Sequence, residues 1–170
     1  PVAAMMDDAP VLICPGREFP VETRYVGRHT PTESIDTLCD VVLAAARDAS
    51  GSLLVFLPGA SEIRQAARWL EKARLGSHWI IAPLFGNLTQ SAQNQAIAPP
   101  PAGRRKIVLA TSIAETSLTI EDIRVVVDCG LQRVPRFEMR SGLTRLVTVP
   151  VSRASADQRR GRAGRIGPGV

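Results

Sequence analysis

Four short, unbroken apolar runs constrain this chain more than any other feature of its sequence. Residues 53–57 read Leu-Leu-Val-Phe-Leu between Gly51 and Pro58, and 79–83, 107–110 and 125–127 form similar runs. A strand with one wet face alternates apolar and polar side chains, so a continuous run predicts a strand covered on both faces. Helical periodicity separates the runs. Ile63, Ala66, Ala67, Leu70 and Ala73 fall on one helix face, with Gly76 as the stop. A shorter helix is expected over 89–97, followed by a Pro-rich loop at 99–101. Upstream, Thr30-Pro31-Thr32-Glu33 combines an N-cap, a Pro in first position and a capping-box Glu. Ile35, Leu38, Cys39, Val42 and Ala46 then line one face of a helix ending near Ala49. Alternating strands and helices imply βαβ units, hence an α/β fold in three layers with a mainly parallel sheet between helices. Ligands of such sheets sit beyond the carboxyl ends of the strands. The loops starting at Pro58, Pro83, Thr111 and Asp128 are therefore the places to look.

The remaining segments are less regular. Residues 11–13 and 21–26 read as short strands separated by Pro15-Gly16 and Pro20. Residues 131–150 read as two extended stretches around Arg140-Ser141-Gly142, an inserted β-hairpin carrying Arg133, Arg136, Arg140 and Arg145. It could be an ordinary hairpin packed on the sheet edge or a working element, and both readings stand. Ser155-Ala156-Asp157-Gln158 reads as a capping box opening a final helix.

That helix carries the octet Gln158-Arg159-Arg160-Gly161-Arg162-Ala163-Gly164-Arg165. In helical geometry Gln158, Arg162 and Arg165 share one face, at i, i+4 and i+7. An amide and two guanidinium forks suit a phosphoryl group whose charge grows on its equatorial oxygens during transfer. Gly161 and Gly164 are poor helix formers, which implies that another body approaches the backbone closely. Gln158 has a second open role, as the capping-box partner. The net charge is +5, and residues 151–170 hold most of the excess, with Arg153, Arg159, Arg160, Arg162 and Arg165 against Asp157. Such a patch favours a polyanion, nucleotide or nucleic acid.

A chain of 170 residues forms one ordinary domain. No apolar run reaches the roughly 18 residues of a membrane span, and Asp7 and Asp8 interrupt the start, which does not read as a signal peptide. Cys14, Cys39 and Cys129 are odd in number and far apart, so they make neither a disulfide framework nor a metal knuckle. Small buried hydrophobes in a reducing cytoplasm are the expected role and compartment.

Five elements of the chain, in order, resemble those of one family. QRRGRAGR at 158–165 is similar to motif VI of superfamily 2 helicases, in the form used by the DEAH-box branch. LVFLPG at 54–59 resembles motif IV, and PLFGNL at 83–88 the adjoining PLYGxL element. ATSIAETSLTI at 110–120 resembles motif V, usually ATNIAETSLTI, and only Ser112 departs from it. VDCG at 127–130 resembles the VDxG segment. GLTRLVT at 142–148 further resembles the bacterial HrpB-type helicases.

The resemblance implies a second RecA-like domain over 29–170, with 1–28 as the end of a first RecA-like domain or the linker from it. It implies an ATP-dependent RNA helicase in which hydrolysis of ATP, or another NTP, with Mg²⁺ drives 3′-to-5′ movement on single-stranded RNA. Arg162 and Arg165 are then arginine fingers, and Gln158 orients the attacking water or a γ-phosphate oxygen. Glu121 stands where many relatives place an Asp near the ribose, Thr119 lies beside it, and Ile97 stands where relatives often place a Phe against the base. Gly59, Thr111, Ser112, Thr116 and Arg136 are the expected RNA-backbone contacts, although Ser and Thr at such turns also serve as helix caps. No metal ligand is expected in this chain. No GxxxxGK[ST] and no DEAH sequence occurs in it; the resemblance assigns nucleotide and Mg²⁺ binding mainly to the first RecA-like domain, and further domains to the C-terminal side. Two other readings remain: a non-catalytic RNA-binding or adaptor domain of helicase-like fold, and a helicase module that tracks DNA.

Overall fold

The four apolar runs are the four strands of one sheet. The computed structural model describes residues 2–7, 9–12, 19–27, 35–73, 75–115 and 118–170. Its elements are α1 (Val2–Met5), α2 (Ile35–Asp48), β1 (Ser52–Phe56), α3 (Ala60–Lys72), β2 (Trp79–Leu84), α4 (Gln90–Ile97), β3 (Arg105–Ala110), a 3₁₀ turn (Ser112–Ala114), β4 (Ile123–Asp128), β5 (Leu131–Glu138), β6 (Leu143–Pro150) and α5 (Arg153–Arg160). The sheet has the order β2-β3-β1-β4, and every neighbouring pair is parallel.

The unbroken runs are explained by the two cores they serve. In β1, Leu53 and Val55 face a cluster built with Cys39 and Val42 of α2 and Ile63, Ala66 and Leu70 of α3. Leu54 and Phe56 face the opposite cluster, with Ala96 of α4, Ala114 and Ile120. In β3, Ile107 and Leu109 join the first cluster and Val108 and Ala110 the second. The side-chain period of two sends alternate residues to opposite faces, so both must be apolar. The result is a three-layer α/β domain. A constant hand of crossover requires opposite directions of travel to use opposite faces of the sheet, and the connections do so. From β1 the chain moves out to β2 through α3 on one face, then returns to β3 through α4 on the other. The step from β3 to β4 keeps that direction and uses the same face as α4.

The hairpin β5–β6 forms its own two-stranded sheet, paired from Leu131↔Pro150 to Glu138↔Leu143. Gly142 adopts φ 65° in its turn, a conformation that glycine reaches without strain. Most of the hairpin is exposed, including Phe137, Met139, Leu143 and Leu146.

Several local expectations need correction. Residues 21–26 are not a strand; Val21 alone forms a bridge, to Gly169. Val11 and Leu12 have no regular structure. The helix start at Thr30–Glu33 lies outside the described residues; the helix expected after it is α2. The final helix opens three residues earlier than the capping-box reading. Ser152 is its N-cap, accepting from the backbone N–H of Ser155 at 3.1 Å. Gln158 is thus free of any capping role. Cys39 is buried, and burial pushes its thiol up to about 12; partly buried Cys129 is pushed up to about 11 for the same reason. Cys14 lies outside the described residues. No helix among the described residues is long and apolar enough to cross a membrane.

Candidate functional site

Because the sheet is parallel, the carboxyl ends of all its strands open on one side. Thr111 follows β3 there, with the backbone of a helix N-cap but no capping bond from its side chain. Its hydroxyl is not consumed by the capping role that Ser and Thr commonly play. Ser112 is exposed beside it. Buried Ala114 pins the 3₁₀ turn to the core, and Glu115 follows. Thr116 lies outside the described residues.

The inner face of α5 meets this loop. Ser155 and Arg159, four residues apart, point inward. Ser155 Oγ donates to Glu115 Oε1 at 2.5 Å. Arg159 is 1% exposed; its Nε donates to Glu115 Oε2 at 3.1 Å and its Nη1 to Asp128 Oδ1 at 2.9 Å. The guanidinium also stands 4.7 Å above the Phe56 ring. Asp128 Oδ1 accepts from Gly130 N as well, at 2.9 Å. The ends of β1, β3 and β4 thus converge on one arginine.

The helix ends at Arg160, and the next residues turn more tightly, through Arg162 N to Arg159 O, Ala163 N to Arg160 O and Gly164 N to Gly161 O. Arg162 stays on the inward face of Ser155 and Arg159. It is buried, with Nε donating to Glu115 O at 3.0 Å, Nη2 to the same oxygen and Nη1 to Leu118 O at 2.6 Å. Burial first, and then the Arg165 charge, lower its pKa from the ordinary value, against the pull of Glu115. A guanidinium has five N–H donors, and three of them are used among the described residues. Gln158, Arg160 and Arg165 are exposed. Arg160 pairs with Asp157 at 3.2 Å on the surface; Arg165 has no ion pair among the described residues. The single face expected for Gln158, Arg162 and Arg165 is therefore not formed: Arg162 lies in the wall and the other two lie outside it. Arg162 shares the inward face of Ser155 and Arg159, and the helix ends at Arg160, before Arg165.

The two glycines of the octet divide. A Cβ on Gly164 would stand 2.6 Å from Phe19 O, so another segment does approach this backbone closely. A Cβ on Gly161 would meet only its own helix, at 3.4 and 3.5 Å. The expectation of close approach holds for Gly164 and not for Gly161.

Ile97 ends α4, partly buried against the second cluster together with Leu118 and Ile120. Thr119 and Glu121 flank Ile120 and are exposed. The three residues expected near a nucleoside thus lie around one apolar patch. Lys106 holds the end of α4, its Nζ donating to Gln95 O at 2.6 Å and Ala98 O at 2.5 Å. Gly59 precedes α3, and a Cβ there would stand 2.8 Å from Cζ of Arg133. Arg133 reaches from the hairpin and pairs with Glu62 at 2.8 Å. Arg136 is exposed and faces Arg145 across the hairpin.

Sequence reasoning overlooked Arg159, Asp128, Ser155 and Glu115 as a set. The signal was available: Ser155, Arg159 and Arg162 also follow i, i+4, i+7, and two carboxylates in neighbouring loops needed a cation.

Residues 33–167 match the family described as helicase conserved C-terminal domain. The chain is 51% identical over 166 residues to the ATP-dependent RNA helicase HrpB of Escherichia coli K12, which covers 98% of this chain and 20% of that protein. It is 39% identical over 169 residues to the ATP-dependent RNA helicase HrpA of the same organism, covering 96% of the chain and 13% of that protein. A crystal structure of the E. coli DEAH/RHA helicase HrpB superposes with a TM-score of 0.87 at 50% identity, over 99% of this chain and 21% of that one. The chain therefore spans about a fifth of the HrpB protein it resembles. Family match, sequence identity and superposition agree: the chain belongs to the helicase conserved C-terminal domain family, with a RecA-like fold and an added antiparallel hairpin.

Proposed function

We propose that this chain acts as the second RecA-like domain of an ATP-dependent RNA helicase of HrpB type. In this reading residues 29–170 form that domain, and 1–28 are the end of the first one or the linker from it. ATP and Mg²⁺ are held mainly by the first domain, with its P-loop and acidic motif. The observation that carries the reading is the pair Arg162 and Arg165. Arg165 is exposed, and Arg162 makes three hydrogen bonds to the loop after β3 among the described residues. Charge develops on a transferring phosphoryl group, and forked, fixed donors stabilise it there. Arg165 and Arg162 supply those donors, and Gln158 orients the attacking water or a γ-phosphate oxygen. Ile97 offers the base an aliphatic contact, and Thr119 and Glu121 lie on the ribose side.

RNA would run over Gly59, Thr111, Ser112 and Thr116, and over Arg136 on the hairpin. The Thr111 side chain, which makes no capping bond, supports this. The hairpin, with exposed apolar side chains beside arginines, suits a strand-separating element. Hydrolysis would then drive 3′-to-5′ movement.

The test is the ATPase of the full-length protein with single-stranded RNA or DNA of matched sequence, beside this chain alone. RNA should stimulate the full-length protein several-fold more than DNA, and the isolated chain should hydrolyse nothing. Equal stimulation by DNA would favour the DNA-tracking module. No hydrolysis by the full-length protein would favour an adaptor.

A further inference from the structure

Arg159 is the most deeply buried charged side chain among the described residues, and its partners come from three parts of the chain. Glu115 follows β3, Asp128 ends β4, and Phe56 ends β1, one turn before Gly59. Arg159 Nη1 also donates to the carbonyl of Leu131, the first residue of the hairpin, at 3.4 Å. Ser155 braces Glu115 from the same helix, and Arg162 grips the Glu115 backbone three residues further on. The loop after β3, the hairpin root and the arginines of the proposed phosphate site are therefore tied to a single guanidinium.

Stability alone does not account for this arrangement. Removing an arginine and two carboxylates from water costs several kcal/mol per ion, and apolar side chains of similar volume would hold a helix on a sheet as well or better. A planar fork held at two carboxylates adds a fixed geometry instead. A shift of the Arg162–Arg165 turn moves the end of α5. Arg159 sits in the last turn of that helix, so the shift reaches Asp128 and Leu131 through bonds of 2.9 and 3.4 Å.

We infer that Arg159 is a positioning residue that couples the phosphate-side arginines to the hairpin root, with Asp128 and Glu115 as its two limbs. The inference rests on the function proposed above and adds a route by which nucleotide state reaches RNA. The Asp128 limb transmits to the hairpin. The Glu115 limb holds the loop that carries Thr111 and anchors Arg162. Weakening the Asp128 limb leaves Arg162 and Arg165 in place, so it uncouples RNA from hydrolysis without removing hydrolysis.

The experiment uses the full-length protein with Asp128→Asn, Ser155→Ala, Arg159→Lys and, as the reference for the phosphate site, Arg165→Ala. Asparagine keeps an oxygen for Gly130 N and Arg159 while removing the charge. Basal ATPase, RNA-stimulated ATPase, duplex unwinding per ATP hydrolysed and melting temperature are measured for each. Asp128→Asn is expected to keep basal hydrolysis within about twofold and to lose at least about fivefold of its RNA stimulation, the lower end of coupling between sites. Unwinding per ATP should fall with it. Arg159→Lys and Ser155→Ala also loosen the Glu115 limb that anchors Arg162, so they should lower basal and stimulated hydrolysis together. If Asp128→Asn melts far below the parent, Asp128→Ser, which keeps a side-chain oxygen for Gly130 N, decides by the same criterion. Wild-type stimulation, or equal loss of basal and stimulated hydrolysis, in an Asp128 variant that melts like the parent overturns the coupling role. Hydrolysis by Arg165→Ala at the parental rate would instead overturn the function proposed for the site, whatever Asp128→Asn does.

Discussion

The three arginines at 159, 160 and 162 occupy three different environments within four residues. Arg159 is locked between carboxylates, Arg160 rests on the surface against Asp157, and Arg162 is inserted among backbone carbonyls. An ideal helix continued through the octet would have aligned Gln158 with Arg162 and Arg165, and that is what spacing suggested. The helix ends at Arg160 and the i→i+3 bonds run only as far as Gly164, so helical spacing does not carry through to Arg165. The glycines give a test at this scale. Gly164→Ala pushes a methyl into Phe19 O and should cost about 1–3 kcal/mol, the range for an added methyl in tight packing. Gly161 has φ −58°, and its Cβ would meet only ordinary contacts, so Gly161→Ala should be neutral or stabilising by up to about 1 kcal/mol. Urea denaturation midpoints of the two variants check this; equal losses would show that the Phe19 segment does not lie against Gly164.

The strands were legible as elements because a doubly buried strand cannot hide its composition. Residues 53–57 were expected and Ser52–Phe56 found; 79–83 were expected and Trp79–Leu84 found. The hairpin was legible from its turn, with Gly142 at positive φ. Residues 21–26 read as a strand because Val21, Thr23, Tyr25 and Val26 have β propensity, yet only Val21 finds a partner and Tyr25 and Val26 are exposed. Propensity without an available sheet edge does not make a strand. The burial of Arg159 could not be read from its own element, because the groups that satisfy it lie 44 and 31 residues away. The hairpin carries its own prediction. Arg136 faces Arg145 across the ladder and has no ion pair among the described residues, so it suits a phosphate. Arg136→Ala should weaken RNA binding by the full-length protein about equally for different sequences, and should reduce the salt slope by about 1. Fluorescence anisotropy across a salt series with two unrelated RNAs measures both. A loss confined to one RNA would mean that Arg136 reads bases.

At the scale of the molecule, the domain presents one functional edge. The loops after β1, β3 and β4 and the turn after α5 meet there, and the parallel sheet behind them is apolar on both faces. In the proposed function that edge is half of a site, completed by a first RecA-like domain. The half with the P-loop holds ground-state phosphates, so arginines arriving from the other half act mainly on the transition state. This is the central claim, and single-turnover hydrolysis tests it most directly, run beside fluorescent-nucleotide binding on full-length Arg160→Ala, Arg162→Ala and Arg165→Ala. Arg165→Ala and Arg162→Ala should lose about 10³–10⁵ in rate with nucleotide affinity nearly unchanged, and Arg160→Ala should stay within a few-fold of the parent. Equal losses at all three positions, or parental hydrolysis by Arg165→Ala, would contradict it.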